Sequence, residues 1–276
     1  MAIVKTEQVD KLNVKVYQTR EEMGRAAAEE AAAAIRAAIA AKGEINMIFA
    51  AAPSQNEFLA HLIADKSIDF TKINAFHMDE YIGLPADAPQ GFGNFLRERL
   101  FDRVPFKTVN TIDSTAADPE AECRRYAALL QAHPCDIVCM GIGENGHIAF
   151  NDPHVADFDD KAAVKVVALD ETCRQQQVND GCFARLDDVP THALTLTIPT
   201  LTAPEAVFCI VPAKTKANAV YAALRGGITE ACPASILRRH ANATLYCDAD
   251  SAARTFARFR KCKEVYARLF QSGCPL

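Results

Sequence analysis

Asp136-Ile-Val-Cys-Met-Gly-Ile-Gly-Glu-Asn-Gly-His-Ile-Ala-Phe-Asn-Asp-Pro153 is the stretch from which the fold can be read. Its opening, Ile137 to Met140, is a short apolar run bounded by a charge and a glycine, the pattern of a strand buried on both faces of a parallel sheet. Gly141, Gly143 and Gly146 then allow the tight or positive-φ backbone of a loop. Asn145, His147 and Asp152 follow closely, and in open α/β sheets ligands gather at the carboxyl ends of strands, where this loop would lie. The three glycines also spell G-x-G-x-x-G, but a dinucleotide fingerprint needs a helix to start at its last glycine. Asn151-Asp152-Pro153 breaks the chain too soon for that. A histidine that merely caps a turn is the plainer alternative to a proton-transfer site.

Outward from this loop, strand-like and helix-like segments alternate. Toward the N-terminus, Leu12 to Tyr17 reads as a strand and Thr19-Arg-Glu-Glu22 as a capping box. The capping box opens an alanine-rich helix to about Lys42, stopped at Gly43. Ile45 to Ala51 is a buried strand, and Ser54-Gln-Asn-Glu57 matches a capping box for a helix over Phe58 to Lys66. Ile73 to Met78 is a strand that delivers Asp79-Glu80-Tyr81 at its end. Leu84 to Gly93 is a Pro- and Gly-rich loop, a candidate lid, before a helix from Asn94 to Arg103. Asp118-Pro119 starts another helix, ending near His133.

Toward the C-terminus, Val164 to Leu169, Ala193 to Ile198, Val207 to Val211 and Thr244 to Cys247 are strand-like. Lys214 and Lys216 begin a helix closed by Gly226-Gly227, and Ala252 to Phe270 is a last helix. Such alternation predicts an α/β, Rossmann-like doubly wound fold, a mostly parallel sheet with helices on both faces. The length of 276 residues predicts one domain over 1–276.

Composition narrows the function classes. Half of the residues are hydrophobic, the net charge is -5 and the pI is near 5.8, so no electrostatic footprint for nucleic acid or anionic lipid exists. No signal peptide is visible, and no apolar run is long enough to span a membrane. The ten cysteines contain no C-x-x-C pair, and several lie inside apolar runs, as expected of reduced thiols in the cytoplasm. No zinc site and no thiol nucleophile are indicated. The expectation is a cytoplasmic protein with no nucleic-acid or membrane partner.

Three strand ends carry polar groups: Ser54, Asp79-Glu80, and Asn145 with His147 and Asp152. Strand ends on one edge of a parallel sheet share one crevice. Histidine is the side chain type that titrates nearest neutrality, which makes His147 the best proton shuttle, with Asp152 or Glu144 to orient it. Asp79, after an apolar strand, is a base whose pKa burial would raise. A solvated Asp79-Glu80 pair at a strand end is the competing reading. A Ser-His-Asp hydrolase is disfavoured, because no G-x-S-x-G elbow occurs. By themselves these residues point to proton-transfer chemistry on a small polar molecule.

Phe76-His-Met-Asp-Glu-Tyr-Ile-Gly-Leu-Pro85 and Gly141-Ile-Gly-Glu-Asn-Gly-His-Ile-Ala-Phe-Asn-Asp-Pro153 resemble the two signature blocks of glucosamine-6-phosphate deaminases, with Ala121-Glu-Cys-Arg-Arg-Tyr126 similar to a helix between them. Weaker similarity runs to about Asp248. The wider superfamily includes 6-phosphogluconolactonases, which share the Gly-His loop but usually lack the Asp-Glu-Tyr block. The resemblance implies conversion of glucosamine 6-phosphate to fructose 6-phosphate and ammonia, an isomerisation with deamination that needs no cofactor and no metal. In that reading Asp79 matches the base that moves a proton between C2 and C1, and His147 matches the residue that opens the sugar ring. Asn145 and Asp152 match the side chains that orient His147. Ser54, Gln55, Glu80 and Lys216 are the expected substrate contacts, with Lys216 matching the phosphate lysine. The partner is a small-molecule sugar phosphate, met by a single chain or a homo-oligomer.

Several positions depart from the pattern. Asp152 stands where Glu is usual, and Asn145 where some relatives carry Asp. Ala51-Ala-Pro-Ser-Gln-Asn56 replaces a Gly-Gly-Thr-type phosphate loop. Gln175-Gln-Gln-Val-Asn179 occupies the region of an expected phosphate arginine. Effector residues of allosteric members are not recognisable between His154 and Lys165. If Glu57 closed a capping box with Ser54, it would consume donors that a phosphate needs. A related sugar-phosphate isomerase, a 6-phosphogluconolactonase-like hydrolase and a non-catalytic sugar-phosphate sensor are the alternatives.

Overall fold

The computed structural model describes residues 3–256. In chain order its strands are β1 (Ile3–Val9), β2 (Leu12–Tyr17), β3 (Ile45–Phe49), β4 (Ile73–His77), β5 (Asp79–Tyr81), β6 (Thr108–Asn110), β7 (Ile137–Met140), β8 (Val164–Ala168), β9 (His192–Leu196), β10 (Ala206–Val211) and β11 (Ala243–Asp248). The helices are α1 (Arg20–Lys42), α2 (Asn56–Ala64), α3 (Phe92–Leu96), α4 (Pro119–Ala132), α5 (Glu171–Asn179), α6 (Ile198–Thr202) and α7 (Ala217–Arg225).

Eight strands form one sheet in the order β1-β2-β11-β10-β7-β3-β4-β6, and every pairing in it except β1 with β2 is parallel. This is the doubly wound α/β architecture read from the alternation of segments. Its strands are buried on both sides, and successive residues serve different cores. Val138 and Met140 of β7 belong to one apolar cluster with Tyr126 and Leu130 of α4 and Val220 and Leu224 of α7. Ile137 and Cys139 belong to the other, with the small alanines of α1 and with Phe58 and Leu62 of α2. That partition is the two-residue period of a strand. Cys139, Cys209 and Cys247 sit in these strands as small buried hydrophobes, and the eight cysteines among the described residues are free thiols.

Local signals placed several helix ends where expected. Thr19 Oγ1 accepts from the Glu22 amide at 3.1 Å, Gly43 closes α1 at φ 83°, and Asp118 accepts from the Ala121 amide at 3.0 Å.

Other expectations need correction. Val164 to Leu169 and Ala193 to Ile198 do not join the parallel sheet. As β8 and β9 they pair antiparallel and, with β5, make a second, three-stranded sheet. Met78 alone separates β4 from β5, so the chain bends out of the main sheet without a turn, and the Leu196 amide donates to Met78 O at 2.8 Å across the bend. The unanticipated β1 is an edge strand whose Lys5 and Glu7 suit a solvent-facing margin. The helix expected from Asn94 starts at Phe92 and winds as a π-turn over Arg97–Phe101. The helix expected over Ala252 to Phe270 has only Ala252 to Phe256 among the described residues, where the chain forms turns.

The sheet order locates a crevice. From β3 the chain steps outward to β4 and β6, whereas from β7 it steps the other way to β10 and β11. Adjacent β3 and β7 therefore flank the topological switch point, and their carboxyl-end loops part to leave an opening.

Candidate active site

At that opening lies a cleft with about 480 Å³ of empty space, open solvent included, lined by the loops after β3, β7 and β10, the first residue of β5, and α5. Ser54, Gln55, Asp79, His147 and Lys216 all reach it, together with Gln176 and Gln177. Met78, Phe92, Ala149 and Phe150 form apolar walls, with the Phe92 and Phe150 rings stacked at 5.3 Å between centroids.

The loop after β7 is shaped for its histidine. The Gly146 amide donates to Gly143 O at 3.0 Å and the Gly143 amide to His147 O at 2.9 Å, and Gly146 has φ 90°. No helix starts at Gly146, which removes the dinucleotide reading. A Cβ on Gly143 would lie 2.1 Å from His147 Cε1, so the ring packs flat on bare backbone. Ala149, two residues on, holds φ 47°, and Ala213, ahead of Lys216, holds φ 84°. Strained non-glycine backbone at both approaches to a cavity is the pattern of functional loops.

His147 Nδ1 lies 2.9 Å from Asp152 Oδ1, at ion-pair distance but without the in-line geometry of a hydrogen bond. That leaves Nε2 for the cavity. Asp152 is fully buried; Oδ1 also accepts from Asn145 Nδ2 at 2.9 Å, and Oδ2 from the Asp170 amide at 3.4 Å. Burial pushes the Asp152 carboxyl up, but His147, Asn145 and the Asp170 amide together hold it below its ordinary range. Asn145 does not line the cavity. Its Oδ1 accepts from the His147 amide at 3.0 Å while Nδ2 reaches Asp152, so it fastens both partners. Glu144, the alternative orienting carboxylate, has a buried Oε1 with no hydrogen-bond partner among the described residues, while its backbone amide donates to Gln176 Oε1 at 2.8 Å.

Asp79 begins β5 almost fully buried, with no hydrogen-bond partner for its carboxylate among the described residues. Burial first, and the charge of Glu80 second, raise its pKa well above the usual carboxylate range. Glu80 itself points elsewhere, since consecutive strand residues face opposite sides. Its oxygens accept from the amides of Tyr81, Phe92 and Gly93 at 2.9, 3.0 and 2.8 Å. The expected Glu80 substrate contact is therefore not what this cavity presents. Glu80 caps α3 from a distance and lies along a separate crevice beside Arg97 and Asn94. The solvated-pair reading of Asp79-Glu80 fails on burial.

The Ser54 and Lys216 end of the cavity is built differently from the capping-box expectation. Glu57 turns away to accept from Arg20 Nη2 at 2.8 Å, and the same nitrogen donates to Pro53 O at 3.0 Å. No side chain caps α2. Ser54 Oγ accepts from Gln55 Nε2 at 3.1 Å, which leaves its own O–H to donate into the cavity. Gln55 Nε2 also binds Ile210 O at 3.1 Å, tying the β3 loop to β10. Lys216 is only 4% exposed and has no ion-pair or hydrogen-bond partner among the described residues. Burial lowers its pKa, against the attraction of Asp180, Glu144 and Cys173. Gln176 and Gln177 were missed as lining residues. The one signal was that this stretch lacks the expected arginine; the structure puts neutral amides there instead. Arg174 is turned away, with Nη2 on Leu186 O at 2.8 Å.

Fold and site thus define an α/β protein whose cavity at a topological switch point gathers His147, the buried Asp79 carboxyl and the buried Lys216 side chain. The chain belongs to the glucosamine-6-phosphate isomerase/6-phosphogluconolactonase family, whose model matches residues 18–246. A glucosamine-6-phosphate deaminase of Bacillus thuringiensis is 34% identical over 240 residues, 87% of this chain and 88% of the relative. A solved monomeric glucosamine-6-phosphate deaminase superposes with a TM-score of 0.79 at 33% identity, over 87% of this chain and 99% of that one. The 6-phosphogluconolactonase of Trypanosoma brucei shares the fold, with a TM-score of 0.71 at 20% identity, over 90% of this chain and 98% of that one. No helix among the described residues is long and apolar enough to cross a membrane.

Proposed function

We propose that this chain is a glucosamine-6-phosphate deaminase, a cytoplasmic enzyme acting as one domain over 1–276 on a small sugar phosphate. The observation that carries the reading is a pair of uncompensated buried charges, the Asp79 carboxylate and the Lys216 ammonium, reaching one cavity with His147. A buried charge without a partner is unfavourable, and a ligand that supplies both counter-charges relieves it. An amino-sugar phosphate does so, with a phosphate for Lys216 and an ammonium at C2 for Asp79. The substrate ammonium would also draw the Asp79 pKa back down, so that the carboxylate is ionised when it must act. A neutral lactone ring offers Asp79 no such partner.

The chemistry divides accordingly. His147 Nε2 moves the proton that converts the closed ring to the open aldehyde, held through Asp152 and Asn145. The C2–H is acidic only once that aldehyde exists. Asp79 then takes the C2 proton and returns it to C1, turning the amine into an imine that water hydrolyses to the ketose and ammonia. The phosphate is received by the Ser54 hydroxyl, the Gln177 side chain and Lys216, with Gln55 holding the Ser54 oxygen in place. The test is a turnover assay with glucosamine 6-phosphate, glucosamine and 6-phosphogluconolactone side by side. Ammonia release from the phosphorylated amino sugar is expected. Lactone hydrolysis without ammonia release would replace the reading with a hydrolase, and binding without turnover would replace it with a sensor.

A further inference from the structure

Cys173 has no role in this chemistry, yet it is buried against the catalytic imidazole's support. It lies in the first turn of α5, its amide on the N-cap Asp170 at 2.6 Å, and its thiol interacts with Asp152. A ring nitrogen of His147, a carboxylate oxygen of Asp152 and Cys173 Sγ all lie within 4.8 Å of one another, all three residues are buried, and Nδ1 is the nitrogen that faces Asp152, at 2.9 Å. Nδ1 is independently unsatisfied, since it faces Asp152 with no aligned hydrogen bond.

We propose that His147 Nδ1, the Asp152 carboxylate and Cys173 Sγ form a binding site for a zinc-type divalent transition ion behind the catalytic ring. One imidazole, one carboxylate and one thiolate are the mixed donors that a borderline-soft ion takes, with a fourth position left for water. Magnesium and calcium, which demand oxygen ligands, do not suit it. The outer contacts are in place, because Asn145 Nδ2 and the Asp170 amide both hold Asp152. Binding releases the Cys173 proton to solvent, and the ion then balances two ligand charges, leaving a neutral cluster in a buried setting. Without an ion, burial and the charges of Asp152 and Asp170 keep Cys173 in its thiol form, so the proton leaves only as the ion enters. A second donor group, Asp152 with His154 and Asp170, has no sulfur, and its exposed His154 already uses Nε2 on Ala168 O at 3.0 Å. A bound ion would tie up Nδ1 and Asp152 and reversibly stop turnover. Only that consequence rests on the role proposed for His147; the binding does not.

The test titrates the reduced full-length protein with Co²⁺, whose thiolate charge-transfer band reports the sulfur ligand directly. One Co²⁺ per chain is expected, displaced by Zn²⁺. Cys173→Ser should lose the band and bind more than about 10-fold more weakly, the lower end of the loss seen even for outer contacts of metal ligands. Cys135→Ser and Cys182→Ser, partly buried thiols outside the group, should keep both. Circular dichroism checks each fold, and His147→Gln reads the same site should Cys173→Ser not fold. No stoichiometric band, or a band that survives loss of Cys173 or His147, overturns the proposal. Zinc inhibition relieved by a chelator in wild type but absent in Cys173→Ser supports it. A Cys173-dependent band without any inhibition keeps the metal site and removes His147 from the reaction.

Discussion

Replacing Asp79 by Asn separates what the carboxylate does for catalysis from what it does to the fold. Asn keeps the shape and removes the basicity. Loss of a general base typically slows turnover by about 10²–10⁴-fold, or about 2.7–5.5 kcal/mol of barrier. The same change should stabilise the protein. Asp79 is 6% exposed without a partner, and burial and Glu80 raise its pKa. A carboxyl whose folded pKa is raised leaves stability intact below the usual carboxylate range and lowers it as pH climbs through the folded value. Asp79→Asn should therefore match wild type in acid and exceed it at neutral and mildly alkaline pH. A gain of about 0.5–2 kcal/mol is the usual range for relieving such a site. In a chain of this size each kcal/mol moves the melting temperature by about 2–4 °C. Ammonia release and melting curves over a pH series read the two effects. Near-wild-type turnover would refute the base assignment, and superimposable pH–stability curves would refute the buried, unpartnered carboxylate.

Lys216→Ala should weaken a phosphorylated ligand by about 1.5–3 kcal/mol and leave its unphosphorylated counterpart unaffected, measured by calorimetry. His147→Gln should slow turnover of the closed-ring sugar far more than that of an analogue fixed in the open chain, and equal losses would argue against ring opening. Asp152→Glu adds a methylene at a fully buried position and should lower stability by about 1–3 kcal/mol, while turnover per folded molecule is retained. Gly143→Ala would drive a methyl to 2.1 Å from His147 Cε1, so about a 100-fold loss of turnover in a folded protein is expected from displacement of the ring.

How much of this was legible beforehand follows from the range of each signal. The strand Ile137 to Met140, the Thr19 and Asp118 caps and the glycine that ends α1 are written within a few residues of where they act. A local reading recovers them, and with them the alternation that predicts a doubly wound sheet. Ser54, Asp79 and His147 were found as polar groups at strand ends, Gln55 and Lys216 were expected as substrate contacts, Lys216 from the family resemblance, and all five line one cavity. Partnerships between distant residues were not legible. Ser54 and Glu57 spell a capping box, but Arg20, far away in the chain, takes Glu57 instead. Glu80 looked like a companion of Asp79 until the pleat sent it to amides twelve and thirteen residues on. The departure of β5, β8 and β9 from the main sheet depends on which backbone groups remain to be paired once the chain bends at Met78. Whether a charge is buried and unpartnered, as at Asp79 and Lys216, depends on every neighbour at once. Local sequence determined the elements and the kinds of chemistry at their ends. Only the tertiary structure decided which charges were left uncompensated, because that is a property of the packed surroundings and not of any segment.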